Sequence, residues 1–459
     1  MSHQFNPTIL REYDIRGIVG GTLKEADAYA LGRTFGSQAR DEGAPRIAVG
    51  RDGRTHSGML EAALIRGLND SGIDVVLIGQ GPSPMLYFAT YYLDVEGGIQ
   101  VTGSHNPAEY NGFKLLLKGR SVFGAEIQAI GRRASSGHWS VGNGTIEEVD
   151  VREAYVDRLL QDFSGKPFRV GWDAGNGAAG PILDMLVERL PGQHHTILTK
   201  VDGRFPNHHP DPTVEKNLDH LKQLVAEKSL DFGIAFDGDG DRIGAVDGKG
   251  RVIWGDQLLM ILAVPVLQEL PGATLIADVK ASQTFFDYVT ELGGKPLMWK
   301  TGHSLIKSKM KETGAPLAGE MSGHIFFKHR WYGFDDALYA AVRLLGAVRV
   351  LGGSLTALKD DMPKLVNTPE MRFQVDESRK FAIVEEVRER LSADGARVDA
   401  TDGVRVSTGD GWWLLRASNT QDVLVARAEA ADQAGLDRLL VQIDEQLAKS
   451  GVERAEAVH

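Results

Sequence analysis

The 459-residue chain contains no cysteine. That excludes disulfides, thiol nucleophiles and thiolate metal ligands, and it fits a reducing, cytoplasmic setting. Long apolar runs are also missing. The longest, Leu258 to Leu267, contains Pro265 and is too short to span a bilayer. The opening Met-Ser-His-Gln-Phe-Asn-Pro lacks a basic segment followed by an apolar one, so no secretory signal is expected. Positive charge is in deficit: 51 Lys and Arg against 62 Asp and Glu give a net charge of −11. A broad basic face for nucleic acid or an anionic membrane is therefore not expected. Glycine is plentiful, 54 residues, and most Gly-rich clusters directly follow apolar runs. That placement points to functional loops on sheets rather than linkers. At 42% hydrophobic and 25% charged, the composition is that of a soluble globular protein. The length implies about three or four domains.

Short apolar strands alternate with helical stretches. Arg46–Val49 precedes a helix over Met59–Ser71 and a strand over Asp74–Gly79; a helix over Lys24–Arg40 comes before them. Arg169–Trp172, Phe232–Phe236 and Thr274–Ala277 repeat the pattern, with helices over Ile182–Leu190 and Ser282–Leu292. This is βαβ grammar, read as three successive α/β units. The last part changes to short alternating strands and two helices, Phe381–Leu391 and Gly435–Lys449, an α+β unit. The expected domains are 1–150, 151–252, 253–365 and 366–459.

Five stretches carry chemistry. In Val101-Thr102-Gly103-Ser104-His105-Asn106-Pro107, the apolar lead-in reads as a strand end and Pro107 as the first turn of a helix. Ser104 would then sit at a strand-to-helix junction on a sheet rim, near backbone N–H groups that favour anions. Asn111-Gly112-Phe113-Lys114 follows closely. Asp237-Gly238-Asp239-Gly240-Asp241-Arg242 sets three carboxylates after a strand. Their mutual repulsion is relieved by a hard divalent cation, and the glycines let the backbone wrap around it. An EF-hand is excluded, because no glutamate stands at the twelfth position and a strand precedes the loop. Lys300-Thr301-Gly302-His303-Ser304 is a turn with a histidine. Gly319-Glu320-Met321-Ser322-Gly323-His324 is expected as an extended loop that aims a carboxylate, a hydroxyl and an imidazole to one side. Arg416-Ala417-Ser418-Asn419-Thr420 groups an arginine fork with hydroxyls and an amide, suited to phosphate.

Together, and in this order, these stretches resemble the α-D-phosphohexomutases of the phosphomannomutase/phosphoglucomutase type, over almost the whole chain. The resemblance implies an α/β fold of four domains around a central cleft. Three domains are related, and the fourth is a C-terminal α+β domain like the TATA-binding protein. Ser104 would carry a phosphoryl group, and Ser104, Asp237, Asp239 and Asp241 would hold one Mg²⁺. Arg242 would contact the sugar phosphate, as would Arg416, Ser418, Asn419 and Thr420. Glu320, Ser322 and His324 would meet the sugar, with His303 near the reacting hydroxyls. Tyr13 and Arg16 match an N-terminal loop near the site. The general base is left among Lys114, His105, His303 and Lys280. Arg51 is a lesser candidate, for which a surface ion pair is the plainer account.

The implied reaction interconverts hexose 1-phosphates and 6-phosphates of glucose and mannose, with hexose 1,6-bisphosphate as intermediate and activator. Hexose phosphates are the expected partners, with a monomer expected and a dimer as the alternative. Glu320-Met321-Ser322 has the form of mutases that accept both sugars, whereas phosphoglucosamine mutases usually carry glutamine in place of Met321. Two departures stand out: Ala417 where the family has proline, and Gln421-Asp422 where it has Glu-Pro. The rivals are a phosphoglucosamine mutase, a metal-dependent phosphatase using the same serine, and a non-enzymatic sugar-phosphate sensor.

Overall fold

The structure, a computed structural model, describes residues 2–419 and 421–453. Thr420, one of the expected phosphate-binding residues, lies outside them. Among the described residues the strands form four sheets, one for each expected unit.

The first three share one plan. In the first sheet Asp74–Gln80, Arg46–Arg51, Gly97–Val101 and Tyr110–Leu117 lie side by side in that order. The first three are parallel and the fourth returns antiparallel. The second sheet places Gly192–Ile197, Phe168–Asp173, Phe232–Phe236 and Ile243–Asp247 identically. The third does the same with Lys295–Trp299, Thr274–Asp278, Leu317–Gly319 and Ile325–Phe327. Parallel strands need covered faces, which explains their continuous apolar runs. In each unit the turn from the third strand to the antiparallel fourth emerges at the carboxyl ends of the parallel strands, where open α/β sheets bind ligands. These turns carry Ser104, the three aspartates and Glu320–His324.

Two expectations change here. Ser104 does not precede a helix: Pro107 closes a turn, with Tyr110 N–H donating to its carbonyl at 3.0 Å, and Tyr110–Leu117 continues as a strand. That strand pairs on both sides, and Phe113, Leu115 and Leu117 fill the first core. Two ladders of hydrogen bonds and an alternating apolar face outweigh the helix-start preference of one proline. Glu320–His324 is a tight turn, not an extended loop. Gly323 N–H donates to the Glu320 carbonyl at 3.0 Å, and Gly323 takes φ +87° with its Cα against the Ile243 carbonyl, where a Cβ would lie 2.5 Å from that oxygen. Arg51 pairs with Glu61 at 2.9 Å, as the plainer account has it.

One apolar core runs through units two and three and takes in the helix Ser83–Tyr92 of unit one. The fourth unit is an antiparallel sheet with its own core. It meets unit three through buried polar contacts. Arg405 donates to the carbonyls of Val279 (2.6 Å) and Ala281 (2.8 Å), with its guanidinium 3.6 Å from the centre of the Trp412 ring. Arg427 donates to the Lys280 carbonyl. Glu429 accepts from Ser282 Oγ and Trp412 Nε1, both at 2.8 Å. Beside this interface Met260, Tyr288, Leu358, Ser407 and Trp412 help line a cavity of about 1040 Å³ that includes none of the expected site residues. No single helix among the described residues is long and apolar enough to cross a membrane.

Replacing Arg405 by methionine would leave two buried carbonyls unpaired, at about 1–3 kcal/mol each. The fourth unit should then detach more often, with a lower melting temperature and faster tryptic cleavage at the exposed Lys364 in the connecting segment. Unchanged cleavage would mean that the apolar contacts alone hold the unit in place.

Candidate functional site

Ser104 is 3% exposed and takes φ +52°, uncommon for a residue with a Cβ. Its surroundings over-determine that conformation. Its N–H donates to Thr102 Oγ1 at 2.8 Å. Asp52, just past the strand Arg46–Arg51, accepts from Thr102 Oγ1 (2.8 Å) and Gly103 N–H (3.1 Å). Arg54 forks into the turn from beneath. Its guanidinium donates to the carbonyls of Ser104 (2.7 Å), Asn106 (2.6 Å), Pro107 (2.6 Å) and Tyr110 (3.0 Å). Sequence reading passed over Arg54 and Asp52. The available signal was a carboxylate placed just past an apolar strand, a position that Asp173 and Asp278 repeat in the other units.

The serine turn lies against the acidic one. The Ser104 carbonyl packs on Gly238, where a Cβ would lie 2.5 Å from it. Asp237, Asp239 and Asp241 are fully buried, and atoms of all three fall within 4.8 Å of one another. Asp237 Oδ1 accepts the N–H groups of Asp241 (3.1 Å) and Arg242 (3.2 Å). Lys114, from the strand after the serine turn, reaches Asp239 Oδ2 at 2.6 Å and also Asp241 Oδ2. Ser83 donates to Asp239 as well. One oxygen of each aspartate keeps no hydrogen-bond partner. Three buried carboxylates that approach one another this closely, each with an unpartnered oxygen, fit a hard divalent cation. Burial pushes the Asp237 carboxyl well above its usual range, and Asp241 and Asp239 push it further. Burial works against Asp239 too, but Lys114 overcomes it and holds that carboxyl low. Lys114 gains in return: burial disfavours its charge, yet the two aspartates keep it firmly protonated.

The other expected residues gather around this centre. His105 Nδ1 is 3.2 Å from Ser104 Oγ, and burial, then Arg242 and Arg16, keep its ring neutral. Arg16 bonds Asn106 in the serine turn. Arg242 Nε donates to His324 Nε2 at 3.0 Å, tying units two and three together. His303 lies 5.7 Å from His324, nearly parallel, and 5.8 Å from the Tyr13 ring. Glu320 accepts the Gly302 N–H at 2.6 Å, and burial raises its pKa. Ser322 stays half-exposed beside it. Lys280 is 3.2 Å from Glu370 and 4.0 Å from Asp278; burial disfavours its charge, but these two carboxylates keep it protonated. Burial and Lys307 hold the His303 ring neutral.

The fourth unit closes onto the same cleft. Arg416 Nε bonds Asp402 at 3.0 Å, and Asp402 also accepts the Thr301 N–H at 3.0 Å. Asn419 donates to the Tyr13 hydroxyl at 2.7 Å, and that hydroxyl donates to the Thr301 carbonyl at 2.8 Å. Ser418, nearly buried, accepts the Gln421 N–H at 3.2 Å. A serine hydroxyl, three buried carboxylates, a glutamate with two histidines, and an arginine thus surround one cleft from four units.

Family models for the four phosphoglucomutase/phosphomannomutase domains match residues 7–139, 153–250, 254–366 and 370–446, the first three described as α/β/α domains I to III and the last as the C-terminal domain. The chain belongs to the phosphoglucomutase/phosphomannomutase family. Within the family it is 44% identical to a phosphomannomutase/phosphoglucomutase of Pseudomonas aeruginosa over 441 residues, 96% of this chain and 95% of that protein. It is 42% identical to a phosphoglucomutase of Neisseria gonorrhoeae, over 94% of this chain and 95% of that one. A crystal structure of a family protein from Burkholderia thailandensis superposes with a TM-score of 0.93 at 42% identity, covering 98% of this chain and 99% of that one.

Lysine cannot reproduce the four-carbonyl fork of Arg54, because its ammonium carries only three donors at one point. Arg54→Lys should destabilise the protein by about 2–4 kcal/mol through orphaned buried carbonyls. Amide exchange at His105–Tyr110 should accelerate more than elsewhere. Uniform protection in the variant would assign Arg54 a role in bulk stability only.

Proposed function

We propose that this family member is a mutase that interconverts hexose 1-phosphates and 6-phosphates of glucose and mannose through phosphorylated Ser104 and a hexose 1,6-bisphosphate. The observation that carries this reading is a hydroxyl on a braced turn, packed against three buried carboxylates that keep unpartnered oxygens. We assign the phosphoserine to residues 1–150, the cation loop to 151–252, the sugar loops to 253–365 and the phosphate clamp to 366–459.

In the first half-reaction a sugar hydroxyl oxygen bonds to phosphorus and the bond from phosphorus to Ser104 Oγ breaks. The hydroxyl proton leaves to a base, and a proton returns to Oγ. The second half runs the same exchange backwards with the other phosphate of the bisphosphate, after the sugar has turned over. The cation we assign is Mg²⁺, held by Asp237, Asp239, Asp241 and the group on Ser104. When bound it supplies positive charge to the transferring phosphoryl oxygens. Lys280 is held charged, so its part is to donate to the substrate. His303, held neutral, is the proton acceptor. Glu320, Ser322 and His324 meet hydroxyls that both sugar orientations present. Arg416, Ser418 and Asn419 receive the phosphate distant from Ser104, with Tyr13 beside Asn419; Arg242 contacts the sugar phosphate, and Arg16 stands beside the serine turn. Closure of the fourth unit keeps water from the phosphoserine.

Two measurements test this reading. Intact mass should show one phosphate on Ser104 that exchanges with excess substrate and is absent in Ser104→Ala. Catalytic efficiencies for glucose 1-phosphate and mannose 1-phosphate should agree within about tenfold, about 1.4 kcal/mol, because no C2 contact is assigned. Free phosphate as the product would indicate a phosphatase, and binding without turnover would indicate a sensor. For the cation, Mg²⁺ at about 100 times its Kd should stabilise the fold by about 2.7 kcal/mol. Asp239→Asn should remove most of that gain. A melting temperature indifferent to Mg²⁺ would remove the cation assignment.

A further inference from the structure

Asp335 is fully buried and belongs to none of the motifs above. It follows the aromatic stretch Trp331–Phe334 and forms a backbone bridge with Phe326, on the strand that leaves the Glu320–His324 turn. One of its oxygens, Oδ1, takes Lys307 Nζ at 3.1 Å. The other, Oδ2, faces both site histidines: His324 Nδ1 at 3.2 Å and His303 Nδ1 at 3.7 Å. None of these three atoms makes a hydrogen bond among the described residues, so the two rings face the carboxylate oxygen at ion-pair distances. His324 Nδ1 also lies 3.6 Å from Asp241 Oδ1, but that oxygen is among those offered to the cation.

The opposite nitrogen of His324 fixes the argument. Arg242 Nε–H donates to His324 Nε2, and an arginine nitrogen has no lone pair with which to accept. Nε2 must therefore carry the lone pair, and in a neutral ring the proton sits on Nδ1, facing Asp335. His303 presents the same nitrogen to the same oxygen, with its ring 26° from parallel to that of His324.

From this geometry we infer that Asp335 is a positioning residue: one buried carboxylate oxygen sets the Nδ1–H tautomer of His303 and faces the Nδ1–H that Arg242 fixes on His324, leaving the Nε2 lone pair of His303 on the ring edge away from it. A histidine's tautomer is set by what its other nitrogen bonds, and a base with its proton on the wrong nitrogen cannot accept one. Burial raises the carboxyl, but Lys307 first and then the two histidines lower it, so the anchor stays anionic. The inference rests on the proposed role of the histidines in the mutase site, but the tautomers can be read without turnover.

The test is long-range ¹H–¹⁵N correlation on full-length protein labelled with ¹⁵N-histidine, with His303→Gln and His324→Gln assigning the two rings. In the unmodified protein near neutral pH both rings should show the Nδ1–H pattern. Asp335→Asn should convert His303 wholly or partly to Nε2–H, while Arg242 still holds His324. In the same variant kcat should fall on the order of 100-fold, with KM for glucose 1-phosphate within about threefold. Asp335→Glu, which keeps the carboxylate, should retain both tautomers and recover most of kcat. An Nε2–H pattern for either ring in the unmodified protein overturns the inference. So does an unchanged His303 tautomer in Asp335→Asn. If Asp335→Asn does not fold, the unmodified and Asp335→Glu spectra still decide it. Correct tautomers in a protein without mutase turnover would instead count against the proposed function.

Discussion

Three carboxylates without solvent cannot stay together on their own. Asp237, Asp239 and Asp241 are fully buried on one six-residue loop, and in a low-dielectric surrounding their repulsion is far stronger than in water. The compensating charge comes from another unit: Lys114 stands on a strand of unit one. Ser83, at the start of a unit-one helix, adds its hydroxyl to Asp239, and its N–H donates to the Asp239 carbonyl at 2.8 Å. A helix N-terminus is a favourable place for that carboxylate. The same contact presses the Ser104 carbonyl onto Gly238. Charge neutralisation, together with the apolar burial of the helix Ser83–Tyr92, sets the serine beside the acidic loop.

The rest of the site follows from repetition. In each α/β unit the third parallel strand ends in a turn that reverses into an antiparallel fourth, and Ser104, the three aspartates and Glu320–His324 sit in those turns. The strand beside it ends in a carboxylate that braces the turn in units one and three. Asp52 holds Thr102 and Gly103, and Asp278 accepts the Met321 N–H at 3.1 Å. Asp278 also takes Thr301 Oγ1 at 3.0 Å, which aligns the loop leading to His303. In unit two Asp173 turns instead to the Gly175 N–H and to His208, and glycine packing braces the acidic turn: Ala178 N–H reaches the Gly238 carbonyl at 2.9 Å. One strand order thus delivers the Ser104 hydroxyl, three buried carboxylates and the Glu320–His324 turn to one cleft.

This explains which residues were readable from sequence. Ser104, Asp237 and Glu320 stand out because apolar strands end abruptly in Gly-rich polar turns, a local signal. The strand after Ser104 was misread because pairing on both sides is a tertiary fact, whereas a proline's preference for a helix start is local. Asp335 left no such trace. Its partners Lys307, His303 and His324 come from separate elements, and only the fold brings them to one oxygen. Arg54 was hidden differently: its four acceptors are backbone carbonyls, which any sequence supplies.

The fourth unit is joined by a different physics from the other three. Units two and three share a continuous apolar core, which also takes in a helix of unit one, so separating them would expose large apolar surface. The fourth has its own core and touches unit three through a small apolar cluster of Val279, Trp412, Leu414 and Met298. Its remaining contacts are arginine-to-carbonyl and carboxylate bonds, which water can replace at modest net cost. The residues it grips, Val279 to Gln283, flank Lys280, and Asp402 grips Thr301 two residues before His303. A unit joined in this way costs less to separate than the other three, and its docking braces the loops that carry Lys280 and His303. In the proposed reaction, opening would admit a sugar phosphate, and closing on it would align the groups that move its proton.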